Sequence, residues 1–265
     1  MSLALRQTPA VPLRLVPRAD LPAIAATLAV APLKTLCSTC HLRELCLPCG
    51  LAAPDVSRLD SMVFSRRRIA AGQVLYHEAD AFQFVFAVRS GTFKSSLTFV
   101  DGREQVSGFH MAGELMGLDA VASGKHASCA TALEDSEICA IPYALLSDIG
   151  AQSGGMQQAV NRLMSREIVR EHSLMMLLGS MNAEERLAAF LLNMSQRLKA
   201  LGYSASEFHL RMTRAEIGSY LGMKLETVSR TFSAFQHQGL LEVDKRHIRI
   251  VDVEGLKRAF ETRVH

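Results

Sequence analysis

The sequence predicts an α+β protein, with an antiparallel β domain in its first half and helices in its second. Short β-type runs separated by glycine turns occupy residues 73–141, and a helical period begins near Met156. The length of 265 residues suggests about two domains, each large enough for its own core. Hydrophobic residues make up 49% and charged residues 21% of the chain, which is the ordinary balance of a globular protein.

The charge and the hydropathy pattern narrow the classes of function. A formal net charge of +3 excludes a polycationic coating protein but leaves room for a local basic surface. No apolar run reaches the roughly 18–20 residues that a transmembrane helix needs. Residues 1–36 are rich in Ala and Pro, and prolines interrupt their apolar run, which argues against a signal peptide. We therefore expect a poorly ordered leader over residues 1–36, no membrane segment and a cytoplasmic protein.

Four of the six cysteines, Cys37, Cys40, Cys46 and Cys49, lie within thirteen residues. Thiols at such short spacing can reach one metal centre, and thiolates select zinc, copper(I) or iron–sulfur clusters. Residues 37–50 are therefore predicted to be a metal-binding segment. A disulfide framework is disfavoured, because six cysteines are few for a chain of this length. Structural zinc stays open, although the gap between Cys40 and Cys46 is short for a zinc ribbon.

The region 51–150 is predicted to form the β domain. A helix begins near Ala53, with Pro and Asp in its first turn. Six β-type runs follow, and Gly marks most of the turns between them. This spacing predicts an antiparallel barrel or jelly roll, not a parallel βαβ sheet. The predicted runs are 73–76, 82–89, 92–99, 105–110, 127–133 and 137–141.

Residues 151–180 are predicted to form a dimerisation helix. Its apolar residues step by three or four and so share one stripe. A single long helix between two domains has little to pack against except its own copy, which favours a homodimer. Glu171 would then oppose its twin across the two-fold axis and weaken the dimer, although a rotated register with Glu171 in solvent fits nearly as well. The predicted stripe is Val160, Met164, Ile168, Glu171 and Met175.

Residues 181–265 are predicted to form a winged helix-turn-helix domain. Asn182 caps a first helix, and Thr213 opens a capping box with Glu216 at the start of a second. Gly222 supplies the short turn to a third helix, and two β-type runs after it form the wing. The predicted bounds are 182–201, 214–221 and 225–238 for the helices and 240–243 and 247–251 for the wing.

The third of these helices is predicted to read promoter DNA. Such a recognition helix enters the major groove by its N-terminal part, where Glu226, Ser229 and Arg230 share one face. Arg can bond bidentately to guanine, and Glu can accept from the cytosine amino group. A solvated ion pair between Glu226 and Arg230 is the alternative. The candidate DNA contacts are Glu226, Ser229, Arg230, Thr213, Arg214, Lys224 and Thr227.

This order of elements resembles the CRP/FNR superfamily of bacterial transcription regulators, and most closely its fumarate-and-nitrate-reduction branch. The resemblance implies a cyclic-nucleotide-binding-like antiparallel β-roll or jelly roll, a long dimerisation helix and a C-terminal winged helix-turn-helix. The segments that carry it include Cys37-x2-Cys40-x5-Cys46, Gly108-Phe-His, Cys139-Ala-Ile-Pro142, Asn182-Ala-Glu-Glu-Arg-Leu-Ala-Ala-Phe190 and Glu226-Thr-Val-Ser-Arg230.

The resemblance also implies a cofactor and partners. It implies an oxygen-labile 4Fe–4S cluster on Cys37, Cys40, Cys46 and the distant Cys139. The cluster would promote dimerisation and binding to palindromic promoter sites with TTGAT-like halves when oxygen is absent. A surface loop around residues 99–103 would meet RNA polymerase. The extra Cys49 could replace Cys139 as the fourth ligand.

A cyclic nucleotide is not expected as a ligand. In the branch that binds cyclic AMP, a Glu holds the ribose and an Arg holds the phosphate. The matching positions here are Leu118 and Ala127, so a buried phosphate would lack its charge-assisted bonds.

Other functions compete with this interpretation. An iron–sulfur electron-transfer protein would use the same cysteines but leaves the helix-turn-helix without a role. A zinc- or other effector-controlled regulator of the same superfamily is a further alternative. An enzyme is disfavoured, because the sequence shows no nucleophile–base pairing, phosphate loop or His-x-Glu zinc motif.

Overall fold

The computed structural model describes residues 36–62 and 65–261. The leader predicted over residues 1–36 therefore lies outside the described residues, apart from Leu36. The described part begins with a loop of successive turns and continues through the β domain into the helices, which confirms the α+β class. None of its helices is both long and apolar enough to cross a bilayer.

The β domain follows the short helix α1 (Ala53–Ser61). Within residues 65–142 it consists of two four-stranded antiparallel sheets, with the strand orders β1-β8-β3-β6 and β2-β7-β4-β5. Phe93, Val88 and Ile138 are fully buried between the sheets. The strands are β1 (Ser65–Ile69), β2 (Val74–Tyr76), β3 (Phe84–Ser90), β4 (Thr92–Thr98), β5 (Glu104–Met111), β6 (Leu115–Met116), β7 (Cys129–Ala132) and β8 (Ser136–Pro142).

The six predicted strands are confirmed, and two further strands were not predicted. The strand β1 has the sequence Ser-Arg-Arg-Arg-Ile and lies at the edge of its sheet, where its arginines reach solvent or acidic partners. Because three successive charged residues give no alternation of apolar and polar side chains, the sequence pattern did not predict β1. The strand β6 has only two residues, which is too short for any periodicity.

Two helices connect the β domain to the C-terminal region. The helix α2 (Tyr143–Gln152) was not predicted, and α3 (Gly154–Ser180) is the predicted long helix. Ser153 separates them in an extended conformation, and its hydroxyl accepts a hydrogen bond from Met156 N at the start of α3. A Ser in this position stabilises a helix start by satisfying one of the free N–H groups.

The C-terminal region forms the predicted winged helix-turn-helix. The predicted N-cap at Asn182 and the predicted capping box of Thr213 with Glu216 are present, and Asn182 also forms a capping box with Glu185 that was not predicted. Gly222 ends its helix with φ of +62°, a conformation that Gly adopts without steric cost. The helices are α4 (Ala183–Ala200), α5 (Arg214–Leu221), α6 (Leu225–His237) and α7 (Val253–Glu261), and the strands are β9 (Glu207–His209), β10 (Leu241–Asp244) and β11 (His247–Ile250).

The wing differs from the prediction in one respect. Within residues 207–250 the sheet has three strands in the order β10-β11-β9, and only two of these were predicted. The strand β9 pairs with β11 over three residues, through Phe208 opposite Ile248. A three-residue strand carries too little alternation to be seen in the sequence.

The winged domain packs against β5 of the β domain. Val106, Phe109 and Met111 of β5 share one buried apolar cluster with Phe190 and Ile217. At the rim, the Lys94 ammonium lies 3.0 Å from Glu104 Oε1 and 3.2 Å from Glu216 Oε1. This ion pair therefore joins a strand of the β domain to the first helix of the helix-turn-helix.

Replacing Lys94 by Met should weaken this contact in a pH-dependent way. Burial raises the pKa of Glu216 and of Glu104, but hydrogen bonds that include those from Lys94 outweigh burial and hold both pKa values below 4.5. The contribution is thus present above pH 4.5 and lost as the pH falls through the lowered values. We expect Lys94→Met to lose about 0.5–1 kcal/mol of unfolding free energy at pH 7.

Urea unfolding at pH 7 and below pH 4 measures this effect. The difference between Lys94→Met and the wild type should shrink on acidification. The exposed Lys125 lies elsewhere on the β domain, so Lys125→Met is a matched control that should show no difference at either pH. An equal loss at both pH values would contradict the ion-pair interpretation.

Candidate metal centre and DNA-binding surface

The cysteine loop, residues 37–50, packs against the β domain through a buried leucine and is hydrogen-bonded to α1. Its backbone forms consecutive turns, and Leu42 and Leu47 are buried beneath it. At its start, the Asp60 carboxylate of α1 accepts hydrogen bonds from Cys37 N at 2.6 Å and Ser38 N at 3.1 Å. The loop contains Ser38, Pro48 and Gly50, residue types that favour turns.

Cys139 reaches the same region from the β domain. It lies on β8 between β1 and β3, where its Cα pairs with those of Arg66 and Ala87. Cys37, Cys46 and Cys139 all pack against one apolar cluster. The structure therefore brings a residue 93 positions further along the chain than Cys46 to the cysteine loop.

The thiols of this region influence one another electrostatically. Burial raises the pKa of Cys37 to about 12, and the neighbouring thiols of Cys46, Cys139 and Cys40 and the Asp60 carboxylate add to the increase. Burial also raises the pKa of Cys46 to about 12, and Cys139 and Cys40 contribute again. A thiol of such high pKa is protonated at neutral pH, so metal binding here would have to displace protons.

Cys49 is placed differently from these four cysteines. It is not among the neighbours that raise the pKa of Cys37, Cys46 or Cys139. Its backbone carbonyl accepts a hydrogen bond from Arg162 Nη2 of α3 at 3.2 Å.

The donor chemistry fits an iron–sulfur cluster better than it fits a hard cation. The neighbouring groups are soft thiols, and the guanidinium of Arg89 lies 3.6 Å from Cys40 Sγ. Within residues 36–62 and 65–261, no three His, Cys, Asp or Glu side chains converge closely enough to hold a metal ion as they stand. A bound cluster would therefore have to draw the sulfurs closer together.

The cysteine loop is packed directly onto the start of the long helix. Leu47 belongs to the same buried cluster as Met156 and Ala159 of α3, and Val160 packs against that cluster. The Ser153 hydroxyl, which caps α3, also donates to Asp55 Oδ1 of α1 at 2.6 Å. The cysteine loop and the N-terminal half of α3 therefore share one buried core.

The second half of α3 presents apolar residues to solvent. On the predicted stripe, Ile168 is 56% and Met175 is 60% exposed, and Glu171 between them is exposed as well. Val160 and Met164 at the start of the stripe are half-buried. Val169 and Met176 are each 60% exposed but lie on a different face of the helix, so the register of the dimer stays a prediction.

Helix α6 presents most of the predicted DNA contacts. Val228, Phe232 and Phe235 are buried on its inner face, and this burial orients the opposite face outward. Three of the predicted contacts, Glu226, Ser229 and Arg230, are exposed on that outer face. Lys224 before the helix is exposed, and Thr227 is half-buried.

Two predicted DNA contacts are engaged within the protein. The Thr213 hydroxyl caps α5 through Glu216 N. The Arg214 guanidinium lies over the Phe232 ring at 3.2 Å and donates from Nη2 to Lys245 O at 3.3 Å. Burial lowers the pKa of Arg214 to about 10, and its buried Nη1 has no hydrogen-bond partner among the described residues.

An open pocket of about 440 Å³ lies between the β domain and α3. Leu118 and Ala127, the positions compared above with a nucleotide site, line it together with Ile168. Sequence reasoning missed Asp119, whose Oδ2 accepts hydrogen bonds from Ala127 N at 2.9 Å, Ser128 N at 3.0 Å and Ser128 Oγ at 2.9 Å. The Asp119 carboxylate thus occupies three hydrogen-bond donors of residues 127 and 128, which line this pocket.

A polar junction centred on Glu114 was also missed. Its carboxylate lies 2.7 Å from Arg197 Nη2 of α4 and 3.6 Å from Arg170 Nη1 of α3. Burial lowers the pKa of His110 well below its ordinary value, and Arg170 and Arg197 add to the decrease, so the imidazole beside them is neutral. The β domain, the long helix and the winged domain are therefore joined at one point.

Two family models match the chain. Residues 66–153 match a cyclic nucleotide-binding domain, and residues 185–259 match a Crp-like helix-turn-helix domain. The matched segments correspond to the β domain with α2 and to most of the winged domain.

Several known proteins are similar over most of the chain. Transcriptional regulatory protein btr of Bordetella pertussis is 48% identical over 84% of this chain and 92% of its own. The fumarate and nitrate reduction regulatory protein of Escherichia coli K12 is 42% identical over 83% of this chain and 88% of its own. The structure of FixK2 from Bradyrhizobium japonicum is 30% identical, with a TM-score of 0.69 over 75% of this chain and 98% of that chain.

The fold and the exposed face of α6 define a DNA-binding transcription regulator, not an enzyme. Its relatives share both the β domain and the helix-turn-helix. The chain belongs to the CRP/FNR family of transcription regulators, whose members bind promoter DNA and act as dimers.

Proposed function

We propose that this protein is an oxygen-responsive regulator in which a 4Fe–4S cluster on Cys37, Cys40, Cys46 and Cys139 promotes dimerisation. The observation that carries the proposal is the packing of Cys37, Cys46, Cys139 and the N-terminal half of α3 around one apolar cluster. A relative from Haemophilus influenzae, 41% identical over 83% of this chain, is named anaerobic regulatory protein, which supports the link to growth without oxygen.

The mechanism is a linkage between cluster binding and dimerisation. A cluster that binds better to the dimer-competent arrangement shifts the population toward it by the difference in affinity. The position of the cysteine loop is coupled to α3 by the packing of Leu47 on Met156. The Asp55–Ser153 hydrogen bond also links α1 to the start of α3. When bound, the cluster would supply irons for the thiolates of Cys37, Cys40, Cys46 and Cys139, and these bonds would cross-link the cysteine loop to β8.

The carboxylate of Glu171 opposes the dimer. In the predicted register, Glu171 of one copy faces Glu171 of the other, between the seam residues Ile168 and Met175. The two like charges repel and destabilise the dimer. Loop closure on the cluster would offset this repulsion, and cluster loss would restore the monomer. The Glu114 junction then carries the change in α3 to the winged domain.

The dimer would read a palindrome with TTGAT-like halves. Glu226, Ser229 and Arg230 from each copy enter the major groove, and Lys224, Thr227, Thr213 and Arg214 contribute to the surrounding contacts. Arg214 would have to leave the Phe232 ring before it could contact a phosphate. The hairpin tip at Phe99 and Val100, which are 49% and 71% exposed, is the proposed contact for RNA polymerase.

Anaerobic purification tests the proposal. We expect a brown protein with about four irons and four sulfides per chain. A colourless protein that holds zinc instead and dimerises in air would contradict the proposed cofactor.

Replacing Arg230 by Ala should remove direct base reading by α6. A bidentate Arg–guanine contact is worth about 1–3 kcal/mol of discrimination, so Arg230→Ala should lose that amount for the palindrome and prefer it less over a scrambled site. Fluorescence anisotropy with both DNA duplexes measures the change. The control is Ser233→Ala, an exposed residue one turn further along α6.

The cluster content of both variants should equal that of the wild type. If Arg230→Ala kept the wild-type preference for the palindrome, Glu226 and Arg230 would instead form a solvated ion pair.

A further inference from the structure

Arg89 lies where the cysteine loop meets the β domain. It is the second-to-last residue of β3, and its side chain is only 21% exposed. Its Nη1 approaches Cys40 Sγ to 3.6 Å, within the range of an N–H···S hydrogen bond. Cys139 lies nearby on β8, where its Cα pairs with that of Ala87, two residues before Arg89 on β3. Arg89 therefore lies between a sulfur of the cysteine loop and the strand that carries Cys139.

We propose that Arg89 is a positioning residue for the cluster. It donates an N–H···S hydrogen bond to Cys40, places its positive charge beside the cluster and slows the reaction of the cluster with dioxygen. This inference rests on the proposed function. It concerns a residue outside the metal ligands, because a guanidinium that stays charged cannot itself coordinate iron.

The positive charge of Arg89 should make loss of an electron from the cluster harder. A cluster bound by four thiolates is net negative, and hydrogen bonds to its sulfurs and nearby charge set its reduction potential. In the reaction with dioxygen, the cluster is oxidised by loss of an electron and dioxygen is reduced by gaining it. A nearby cation stabilises the more negative, reduced state, so its removal should lower the reduction potential and make this electron loss easier.

Glu137 forms an ion pair with Arg89, and a second arginine on the same carboxylate, Arg68, provides a matched control. Its carboxylate lies 3.8 Å from Arg89 Nε and also pairs with Arg66 and Arg68. Arg68 differs from Arg89 in one useful way, because its side chain is 91% exposed and points to solvent at the edge of the sheet. Removing Arg68 takes one cation from the same carboxylate without touching a sulfur contact of Arg89.

The experiment compares the full-length wild type with Arg89→Met, Arg89→Lys and Arg68→Met, each loaded with iron and sulfide without oxygen. We expect Arg89→Met to have a lower reduction potential in a spectroelectrochemical titration. Its cluster absorbance should decay about tenfold faster in air-saturated buffer, the size of effect typical of outer-shell partners. Arg89→Lys should fall between, because it keeps the charge and loses the forked donors.

The controls distinguish a specific effect of Arg89 on the cluster from a general loss of stability. They also distinguish failure of this inference from failure of the proposed function. Arg68→Met should match the wild type in both readouts, and thermal unfolding of the two Met variants should be similar. A potential and a decay rate for Arg89→Met equal to those of Arg68→Met would overturn the inference while leaving the cluster in place. If Arg89→Met takes up no iron, Arg89→Lys becomes the test variant. A rate of cluster decay in Arg89→Lys equal to that of the wild type would then overturn the inference. A wild type that takes up neither iron nor sulfide would instead overturn the proposed function.

Discussion

Replacing Cys139 by Ser is expected to abolish cluster binding, whereas replacing Cys49 by Ser leaves it intact. Cys139 is an electrostatic neighbour of Cys37 and Cys46, and Cys49 is not. A hydroxyl cannot replace a thiolate as a soft ligand, so three remaining sulfurs would hold a 4Fe–4S cluster poorly. The measurement is the content of iron and acid-labile sulfide after anaerobic loading, with about four of each per chain in Cys49→Ser.

The two serine variants control for each other. Both replace a partly buried cysteine by an isosteric side chain, so a general packing defect should affect both. Cys129 on β7 is a third partly buried cysteine outside this region, and Cys129→Ser should behave as the wild type. A Cys139→Ser protein with full iron beside an empty Cys49→Ser protein would make Cys49 the fourth ligand and give a site local to the cysteine loop.

Replacing Ile168 by Glu is expected to break the homodimer. Ile168 is 56% exposed in the single chain and lies on the predicted seam of α3. A carboxylate taken out of water at a two-fold contact, facing its own copy, costs about 3 kcal/mol or more, which is roughly 100-fold in the dimer dissociation constant. Sedimentation equilibrium under anaerobic conditions measures that constant directly.

Two comparison variants make the result specific. Ser173 is exposed on the opposite face of α3 from the predicted seam, so Ser173→Glu should leave the dimer unchanged. Val169 is 60% exposed on another face, and Val169→Glu tests the alternative register. A larger loss for Val169→Glu than for Ile168→Glu would show that the seam is rotated and that Glu171 lies in solvent.

The sequence predicted correctly those elements whose ends are marked by residues close together in the chain. The helix α5 begins and ends at the predicted residues because a capping box and a left-handed Gly mark its ends within the sequence itself. The helix α2 has no such marks: its N-cap position is Pro142, which makes no side-chain capping bond. Its formation depends on packing of Leu146 and its neighbours against the β domain, which no short window can show.

The candidate site divides in the same way. The spacing of Cys37, Cys40 and Cys46 is visible in the sequence, because a short segment must bring them together. The role proposed for Arg89 and the hydrogen bonds of Asp119 depend on contacts with residues from other segments, and neither residue belongs to a chemical motif. The stacking of Arg214 on Phe232 likewise joins two helices across the turn, so sequence reasoning treated that guanidinium as free.

The measurement that tests the central claim most directly follows cluster content, dimer content and promoter binding in one sample. Anaerobic protein on a palindromic duplex is titrated with oxygen, and absorbance, sedimentation and anisotropy are recorded at each step. We predict that dimer and bound DNA fall together with the cluster, and that anaerobic reloading with iron and sulfide restores both. A protein that keeps its dimer and its promoter occupancy after the cluster is gone would contradict the proposal that the cluster controls DNA binding.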